Sequence, residues 1–366
     1  MKDIENAGSG PPAARIVLVG YGLAGKAHVS AIKQGAALEL AAIVEPAEAG
    51  RRSAVSEGVP VFGSLEEMFD QVTSVDGVIL ATPTLMHVEQ GLACIERQCP
   101  VLVEKPIAAT SADGLMLVKA ANNAKVPLLV GHHRRYNPIV RTAKSAIENG
   151  EIGQLRAVQT TCWFYKPDHY FDEAPWRTKK GAGPISVNLV HDVDLLRHFC
   201  GEVVRVQAQA VPSIRRFENE DLAAAILTFS NGAIATISVA DAIASPWSWE
   251  LTARENPDFP PTDQSCYLIG GTLGALSVPD LKIWSHEGSP NWWTPMAARN
   301  LSANSGESLT DQALHFANVI RGNETPIVSG VEGLKSLQVV EAIQQAADTG
   351  QAVEIEQLDI DGEVAG

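Results

Sequence analysis

The sequence is poor in cysteine and in basic residues, and it contains no long hydrophobic run. Its five cysteines form no C-x-x-C pair, which indicates neither a disulfide framework nor a zinc site. There are 28 lysines and arginines against 43 aspartates and glutamates, and this net charge of −15 disfavours a nucleic-acid partner. No apolar run approaches the roughly 20 residues that span a bilayer. We therefore expect a protein of the reducing cytoplasm without a membrane partner or a metal site.

What is present is the composition of a globular chain long enough for two domains. Hydrophobic residues make up 45% of the 366 positions and charged residues 19%. Residues 1–13 are polar and rich in glycine and proline, and they lack the basic and apolar regions of a signal peptide. We predict a disordered tail there.

Strand-like and helix-like segments alternate through the first third of the chain. Such alternation is typical of βαβ units and predicts a doubly wound parallel sheet with helices on both faces. From residue 203 onwards strands follow one another directly, and Asn231-Gly232 is typical of a tight hairpin. This pattern predicts a mainly antiparallel sheet, with a strand over residues 248–253 and a long loop over residues 287–308.

A glycine-rich turn follows the first predicted strand. Four aliphatic residues run into the pattern G-x-G-x-x-G. The first glycine permits a tight turn, the second admits a pyrophosphate close to the backbone, and the third lets the next helix pack against the strand. Free N–H groups at the start of that helix favour phosphate. We predict that a dinucleotide is contacted by Gly20, Gly22, Leu23, Ala24 and Gly25.

An acidic residue ends the second predicted strand. Glu45 lies twenty-five residues after Gly20, where a carboxylate can accept both hydroxyls of an adenine ribose. It would repel a 2′-phosphate, although Arg51 and Arg52 follow closely and weaken that preference. The pattern predicts NAD as the cofactor, with NADP less favoured.

Polar residues also follow three later strands of this half, at the sheet edge where ligands of doubly wound folds bind. The residues at these strand ends are Thr82, Pro83 and His87, then Glu104, Lys105 and Pro106, then Arg134, Arg135 and Tyr136. Lys105 lies between a strand end and a proline, so its ammonium is held where it can orient a substrate hydroxyl. The alternative is a surface lysine paired with Glu104.

A second polar cluster is predicted on one helix over residues 185–200. Asn188, His191 and Asp194 are spaced i, i+3, i+6 and would share a face. Histidine is the usual general acid or base near neutral pH, and a neighbouring amide or carboxylate fixes its tautomer. The alternative is that His191 belongs to a buried polar cluster.

Together these motifs resemble the glucose–fructose oxidoreductase, inositol dehydrogenase and MocA family, in the family's order and over nearly the whole chain. The resemblance implies a Rossmann domain over residues 14–134 and an open, mainly antiparallel sheet domain with helices on one face over residues 135–366. It also implies homodimers or homotetramers formed through that sheet. The implied activity is hydride transfer between NAD(P) and a hydroxyl or carbonyl of a sugar, sugar derivative or cyclitol.

The resemblance also implies roles for individual residues. Lys105 matches a lysine that contacts substrate and the nicotinamide ribose, and His191 matches the acid/base histidine. Substrate-lining positions correspond to Arg135, Tyr136, Trp176, Arg177 and Asp194. Cofactor contacts correspond to Thr82, Pro83 and His87, beside Glu104 and Lys105.

One position departs from the family pattern. Inositol dehydrogenase-like members carry an aspartate four residues before the histidine, where this chain has Val187; Asn188 is the nearest polar substitute and is predicted to bind substrate. Two alternatives follow for the function. One is a dehydrogenase of a cyclic diol or hemiacetal from an aromatic compound, and the other is a non-catalytic NAD sensor.

Overall fold

The computed structural model describes residues 12–356 and 358. Apart from Pro12 and Ala13, the predicted tail lies outside the described residues. The chain forms two compact units: the first takes residues up to 107, 116–131 and 309–330, and the second takes residues 108–115, 132–308 and those from 331 onwards. The predicted limit at residues 134/135 stays a prediction, and residues 309–330 fall in the first unit.

The first unit contains a six-stranded parallel sheet. Its strands are β1 Ala14–Val19, β2 Leu38–Val44, β3 Val61–Phe62, β4 Gly77–Leu80, β5 Val101–Val103 and β6 Leu128–Val130. Their spatial order is β3-β2-β1-β4-β5-β6, the order of a dinucleotide-binding fold whose direction of winding reverses between β1 and β4. The predicted doubly wound sheet is therefore confirmed.

Helices cover this sheet because its strands are apolar on both faces. They are α1 Leu23–Gln34, α2 Glu48–Ala54, α3 Leu65–Gln71, α4 His87–Glu96, most of α5 Ser111–Ala124 and most of α11 Ser308–Ile320. Ile16, Leu18 and Ile79 are fully buried, and Phe316 and Ala317 of α11 belong to the same core cluster. A segment late in the chain thus completes the core of the first unit.

The second unit contains a nine-stranded sheet. Its strands are β7 Leu155–Trp163, β8 Val203–Pro212, β9 Glu220–Phe229, β10 Ile234–Ala240, β11 Tyr267–Gly271, β12 Gly274–Val278, β13 Lys282–His286, β14 Met296–Asn300 and β15 Val353–Glu354. Their order is β14-β13-β12-β11-β7-β10-β9-β8-β15. The pairing of β7 with β10 is parallel and the other neighbouring strands in this order are antiparallel, as the consecutive strands predicted.

One face of this sheet is buried and the other is open. Its helices are α6 Pro138–Glu148, α7 Asp168–Asp172, α8 Pro184–Val187, α9 Leu189–Cys200, α10 Trp249–Thr252 and most of α12 Gly330–Thr349. Val193 of α9, Ile343 of α12 and Ile237 of β10 share one buried cluster. Alternation along each strand places residues such as Ile226 and Leu268 on the other face, where they are about half exposed.

Three predicted elements of the second unit differ from the structure. Residues 249–252 form a helix instead of a strand, because the Ser248 hydroxyl caps it by accepting from Leu251 N at 3.4 Å and Glu250 occupies its first turn. The predicted loop over residues 287–308 contains β14, which pairs with β13. The single helix predicted over residues 185–200 is interrupted at Asn188.

No helix within residues 12–356 is long and apolar enough to cross a membrane. All five cysteines are buried thiols. Burial raises the pKa of Cys94 and Cys200, the latter to about 12, which keeps these thiols protonated at neutral pH.

Candidate functional site

The glycine turn between β1 and α1 is fixed by two of its three glycines. Gly20 has φ +92°, and a Cβ there would lie 2.5 Å from the Ala81 carbonyl oxygen. A Cβ on Gly25 would lie 2.0 Å from the Gly20 carbonyl oxygen. Both positions therefore admit only glycine in this geometry, as the sequence pattern predicted for the turn and for the packing of α1.

Gly22 is glycine for a different reason. It caps α1 with φ −76°, and a Cβ there would have no neighbouring atom within 4 Å. Leu23 and Ala24, the next two residues, are exposed, and the first turn of α1 carries no acidic side chain. The start of α1 is thus an open surface of backbone N–H groups, which fits a pyrophosphate.

Glu45 is held in place by the backbone. Its Oε2 accepts from Tyr21 N at 2.8 Å, within the glycine turn, and its Oε1 accepts from Ala47 N at 2.9 Å. Arg51 donates to the carbonyls of Glu45 and Pro46, so its guanidinium is bound to backbone. A positioned carboxylate beside an open helix start fits the ribose and pyrophosphate of NAD.

A pocket of the first unit begins at the ends of β1 and β2, next to Glu45. Residues from α3 and α4 complete it, and the guanidinium of Arg97 stacks on the Phe69 ring at 4.7 Å. Its principal lining residues are Val19, Val44, Pro46, Phe69, Met86 and Arg97. A pocket with the Phe69 ring, Met86 and the Arg97 guanidinium in its lining suits an adenine ring. Sequence reasoning missed Phe69 and Arg97, because they follow no strand end.

His87 connects two of the predicted strand ends. Its Nδ1 lies 2.9 Å from Pro106 O and its Nε2 lies 2.9 Å from Thr82 O, and the side chain is 1% exposed. Both partners are backbone carbonyl oxygens, so a ring nitrogen that carries the proton donates to one of them. His87 therefore fixes the backbone on either side of the site, while its predicted contact with the cofactor stays a prediction. Pro83 next to Thr82 is exposed.

Glu104 contacts His28 through its carboxylate. Its Oε1 lies 2.8 Å from His28 Nε2, and its Oε2 accepts from the backbone N–H of Lys105 at 3.2 Å. A Cβ on Gly131 would lie 2.9 Å from Glu104 Oε1, so the carboxylate fills that space. Glu104 thereby holds the start of the Lys105 turn.

In the second unit, Asn188 stands between α8 and α9. Its Oδ1 accepts from Lys166 Nζ at 2.7 Å, and its carbonyl accepts from His191 N at 3.2 Å. Asparagine favours such non-helical positions because its side chain competes for local hydrogen bonds. Sequence reasoning missed Lys166, although Lys166-Pro167 follows β7 just as Lys105-Pro106 follows β5.

His191 packs against a second histidine. The rings of His191 and His133 lie 5.5 Å apart at 70°, edge to face. His133 Nε2 is 3.8 Å from Glu255 Oε2, and Glu255 also accepts from Trp249 Nε1 at 2.7 Å and from Asn137 Nδ2 at 3.0 Å. Burial raises the pKa of Glu255, but His133, Arg134 and the Ser308 hydroxyl outweigh burial and hold that pKa well below its usual range.

Two predicted substrate residues form a buried ion pair with each other. Arg135 donates to both oxygens of Asp194 at 2.8 and 2.7 Å, and the Ser336 hydroxyl donates to Asp194 Oδ1 at 2.9 Å. Burial opposes the charge on Asp194, yet His132 and Arg135 hold its pKa well below the usual value. Asp194 is 1% exposed, and Tyr136 is fully buried. This geometry favours a structural role, so their substrate contacts stay predictions.

Trp176 and Arg177 lie in a 3-10 turn over Pro175–Thr178. The Arg177 guanidinium stacks on the Tyr170 ring at 3.9 Å and donates to the Tyr170 carbonyl at 2.5 Å. Trp176 is 57% exposed. The ordered Arg177 guanidinium can donate to polar groups of a ligand ring, and the exposed Trp176 ring can stack on an apolar face of that ligand.

Two family models match successive parts of the chain. The model described as an oxidoreductase family with an NAD-binding Rossmann fold matches residues 14–132, and the GFO/IDH/MocA C-terminal domain model matches residues 140–277. The chain belongs to the Gfo/Idh/MocA oxidoreductase family. It is an NAD-binding oxidoreductase, as the sequence resemblance implied.

Relatives within the Gfo/Idh/MocA family show where the chain is similar. It is 31% identical over 192 residues to the rhizopine catabolism protein MocA of Rhizobium meliloti, an alignment that covers 51% of this chain and 57% of that protein. It is 29% identical to 1,5-anhydro-D-fructose reductase of Ensifer adhaerens, over 85% and 89%. The WlbA dehydrogenase of Bordetella pertussis, solved with NADH and UDP-GlcNAcA, is 28% identical with a TM-score of 0.75, over 94% and 99%.

Proposed function

We propose that this protein is an NAD-dependent dehydrogenase or reductase of a sugar, sugar derivative or cyclitol. The proposal that the cofactor is NAD rests on Glu45, whose carboxylate is held by two backbone amides beside the open start of α1. Relatives named 1,5-anhydro-D-fructose reductase and inositol 2-dehydrogenase support the proposed substrate class. Buried cysteines support a cytoplasmic location.

Lys105 and His191 are the proposed catalytic residues. The Lys105 ammonium donates a hydrogen bond to the reacting substrate oxygen and lowers the cost of negative charge there. The His191 imidazole takes the hydroxyl proton during oxidation and returns it during reduction. When bound, the nicotinamide accepts or supplies the hydride. Gly22, Glu45 and the pocket beside Glu45 are proposed to hold the rest of the cofactor.

Steady-state assays test this proposal. We expect the purified protein to reduce NAD, and NADP more slowly, with at least one member of a panel of sugars, sugar acids and inositols. Lys105→Ala should lower kcat/KM by about a hundredfold or more, while NADH binding measured by fluorescence stays within about threefold of wild type. Tight NADH binding without turnover on the panel or on an aromatic dihydrodiol would favour the sensor alternative.

We also propose that the open face of the nine-stranded sheet binds a second copy of the chain. Ile226, Ile234, Leu268 and Trp284 are each at least 40% exposed. Ile226 and Leu268 lie in one cross-strand row with Thr236 and Gln159 between them. Exposed apolar side chains such as these on an open sheet face are typical of an interface between subunits.

A further inference from the structure

Lys166 is a buried cation that the proposed reaction does not yet use. It lies just after β7 and is 5% exposed. Its backbone N–H donates to Asp241 O at 2.9 Å, and its carbonyl accepts from Arg215 Nη2 at 2.8 Å. Buried lysines are rare unless a partner or a function requires them. These two hydrogen bonds fix the Lys166 backbone, and so they fix the point in the second unit from which its side chain extends.

The strongest contact of that ammonium is with an amide. Lys166 Nζ lies 2.7 Å from Asn188 Oδ1, while the nearest carboxylate oxygen, of Asp241, is 3.6 Å away. Asp241 is closer to Arg215, whose Nη1 lies 3.0 Å from the other carboxylate oxygen. Burial lowers the pKa of Lys166, and Asp241 only partly offsets that effect. The ammonium therefore shares its counter-ion with a second cation.

The lysine determines how the Asn188 amide is oriented. An ammonium group has donors only, so the atom that faces it is the amide oxygen. The two N–H groups of Asn188 Nδ2 are then directed elsewhere, and they donate to no residue in the described part of the chain. Val187 precedes Asn188 where inositol dehydrogenase-like members carry an acceptor carboxylate. This chain presents N–H donors there instead.

We propose that Lys166 and Asn188 form a donor site for an anionic oxygen of the substrate. The substrate class is then a polyol that carries a carboxylate, such as a uronic or aldonic acid. Asn188 lies three residues before His191, and its carbonyl accepts from the His191 backbone N–H, so the donor site adjoins the proposed acid/base in the chain. This inference rests on the proposed dehydrogenase function and narrows its substrate.

The ammonium has no close carboxylate of its own. Lys166 and Arg215 both contact Asp241, and the buried Asp221 acts on that same carboxylate, so two cations and two buried carboxylates share this region. Asp168 lies 3.8 Å from Arg215 but is 86% exposed, where water screens it. On the remaining side the ammonium faces the Tyr170 ring at 5.2 Å, which adds no negative charge. A substrate carboxylate would give the ammonium a direct charged partner, because no carboxylate oxygen of the described residues lies nearer to Lys166 Nζ than that of Asp241 at 3.6 Å.

Calorimetric titration of the full chain saturated with NADH tests the donor site. D-glucuronate and D-galacturonate are compared with their neutral counterparts D-glucose and D-galactose. We expect at least one acid to bind more tightly than its counterpart. Lys166→Met should weaken binding of that acid by about ten- to a hundredfold, because a hydrogen bond to a charged group is lost.

Two further variants make the test specific. Lys282→Met removes another lysine of the second unit, which is paired with Asp280 at 4.0 Å. It should change the affinity neither for the acid nor for its neutral counterpart. Asn188→Asp keeps an acceptor for Lys166 but replaces the N–H donors with charge, so the preference for the acid should disappear. It also provides the test if Lys166→Met does not fold.

The inference is overturned if neither acid binds more tightly than its neutral counterpart. It is equally overturned if Lys166→Met or Asn188→Asp folds and keeps the wild-type preference. Turnover of a neutral polyol without any preference for acids would leave the dehydrogenase proposal standing and remove only the donor site. Binding of an acid through Lys166 without turnover of any substrate would leave the donor site standing and remove the dehydrogenase proposal.

Discussion

The ring of His191 packs against His133, whose own position is fixed. Glu255 holds His133 from the other side, and Glu255 is itself held by Trp249 and Asn137. Edge-to-face ring contacts contribute about 0.5–1.5 kcal/mol beyond the area they bury. His133 therefore restricts the orientation of the proposed acid/base, as a carboxylate does in many histidine sites.

Replacing His133 tests this restriction. His133→Ala should lower kcat by about tenfold, since a loosely oriented imidazole transfers a proton less efficiently, and should leave the Kd for NADH unchanged. His133→Phe keeps a ring edge and should recover most of that loss. Steady-state kinetics and NADH fluorescence measure both, and an Ala variant with wild-type kcat would contradict the restriction.

Single residues show how far the sequence predicts such a site. Gly20, Gly25 and Glu45 were predictable because their chemistry is set by local backbone and by the spacing of one turn. Substrate contacts of Asp194 and Arg135 stay predictions, but their burial was not predictable, because Ser336, which donates to Asp194, lies 142 positions after it in the chain. Lys166 was missed because its environment depends on Asp241 and Arg215, which belong to later segments of the second unit.

The β1–α1 turn separates folding from binding within one element. Gly25 is surrounded by backbone, whereas Gly22 faces open space. Gly25→Ala should lower the free energy of unfolding by about 1–3 kcal/mol or more, because backbone atoms must move. Gly22→Ala should leave stability nearly unchanged and raise the Kd for NAD by roughly tenfold, because the methyl group occupies the space of the pyrophosphate.

Urea unfolding and NADH fluorescence on this pair of variants separate the two roles. Each variant is the control for the other, since both add one methyl group to the same turn. Unchanged NAD affinity in a folded Gly22→Ala protein would show that the open start of α1 does not bind the phosphates.

The ion pair between α9 and the turn His133–Tyr136 makes stability depend on pH. The pKa of Asp194 in the folded protein is held below its unfolded value of 3.8. The charged carboxylate therefore stabilises the folded state above pH 3.8, and this stabilisation is lost progressively as the pH falls below that value. Asp194→Asn should cost up to about 3–5 kcal/mol near neutral pH, because it removes the carboxylate that accepts two hydrogen bonds from the buried Arg135 and leaves that guanidinium with Glu332, at 3.0 Å.

Urea midpoints of wild type and Asp194→Asn between pH 3 and 7 measure this dependence. The difference between the two proteins should shrink as the pH falls below about 4. Asp192, whose pKa burial raises to about 6 against the opposing effect of Arg134, titrates in both proteins and largely cancels in the difference. A difference that stays constant to pH 3 would exclude a depressed pKa for Asp194.

At the scale of the whole molecule, the open sheet face determines the proposed assembly. Leu268→Lys places a charge in the cross-strand row that holds Ile226 and Leu268, and it should convert the oligomer to a monomer in light scattering after size exclusion. Ile214→Lys, at an exposed position in the loop after β8, is the matched control and should leave the assembly intact. A wild-type protein that is already monomeric would contradict the proposed interface.

The first unit is assembled from three separate stretches of chain, and this limits how the gene can be divided. Phe316 and Ala317 complete the core around Ile16 and Leu18, and the Val130 N–H donates to Val328 O at 3.0 Å. A fragment that ends near residue 131 would expose that core and leave the β6 edge unpaired. The nucleotide-binding half is therefore not a module that recombination or cloning can transfer with a single cut. An exchange of this half between relatives must carry residues 309–330 with it.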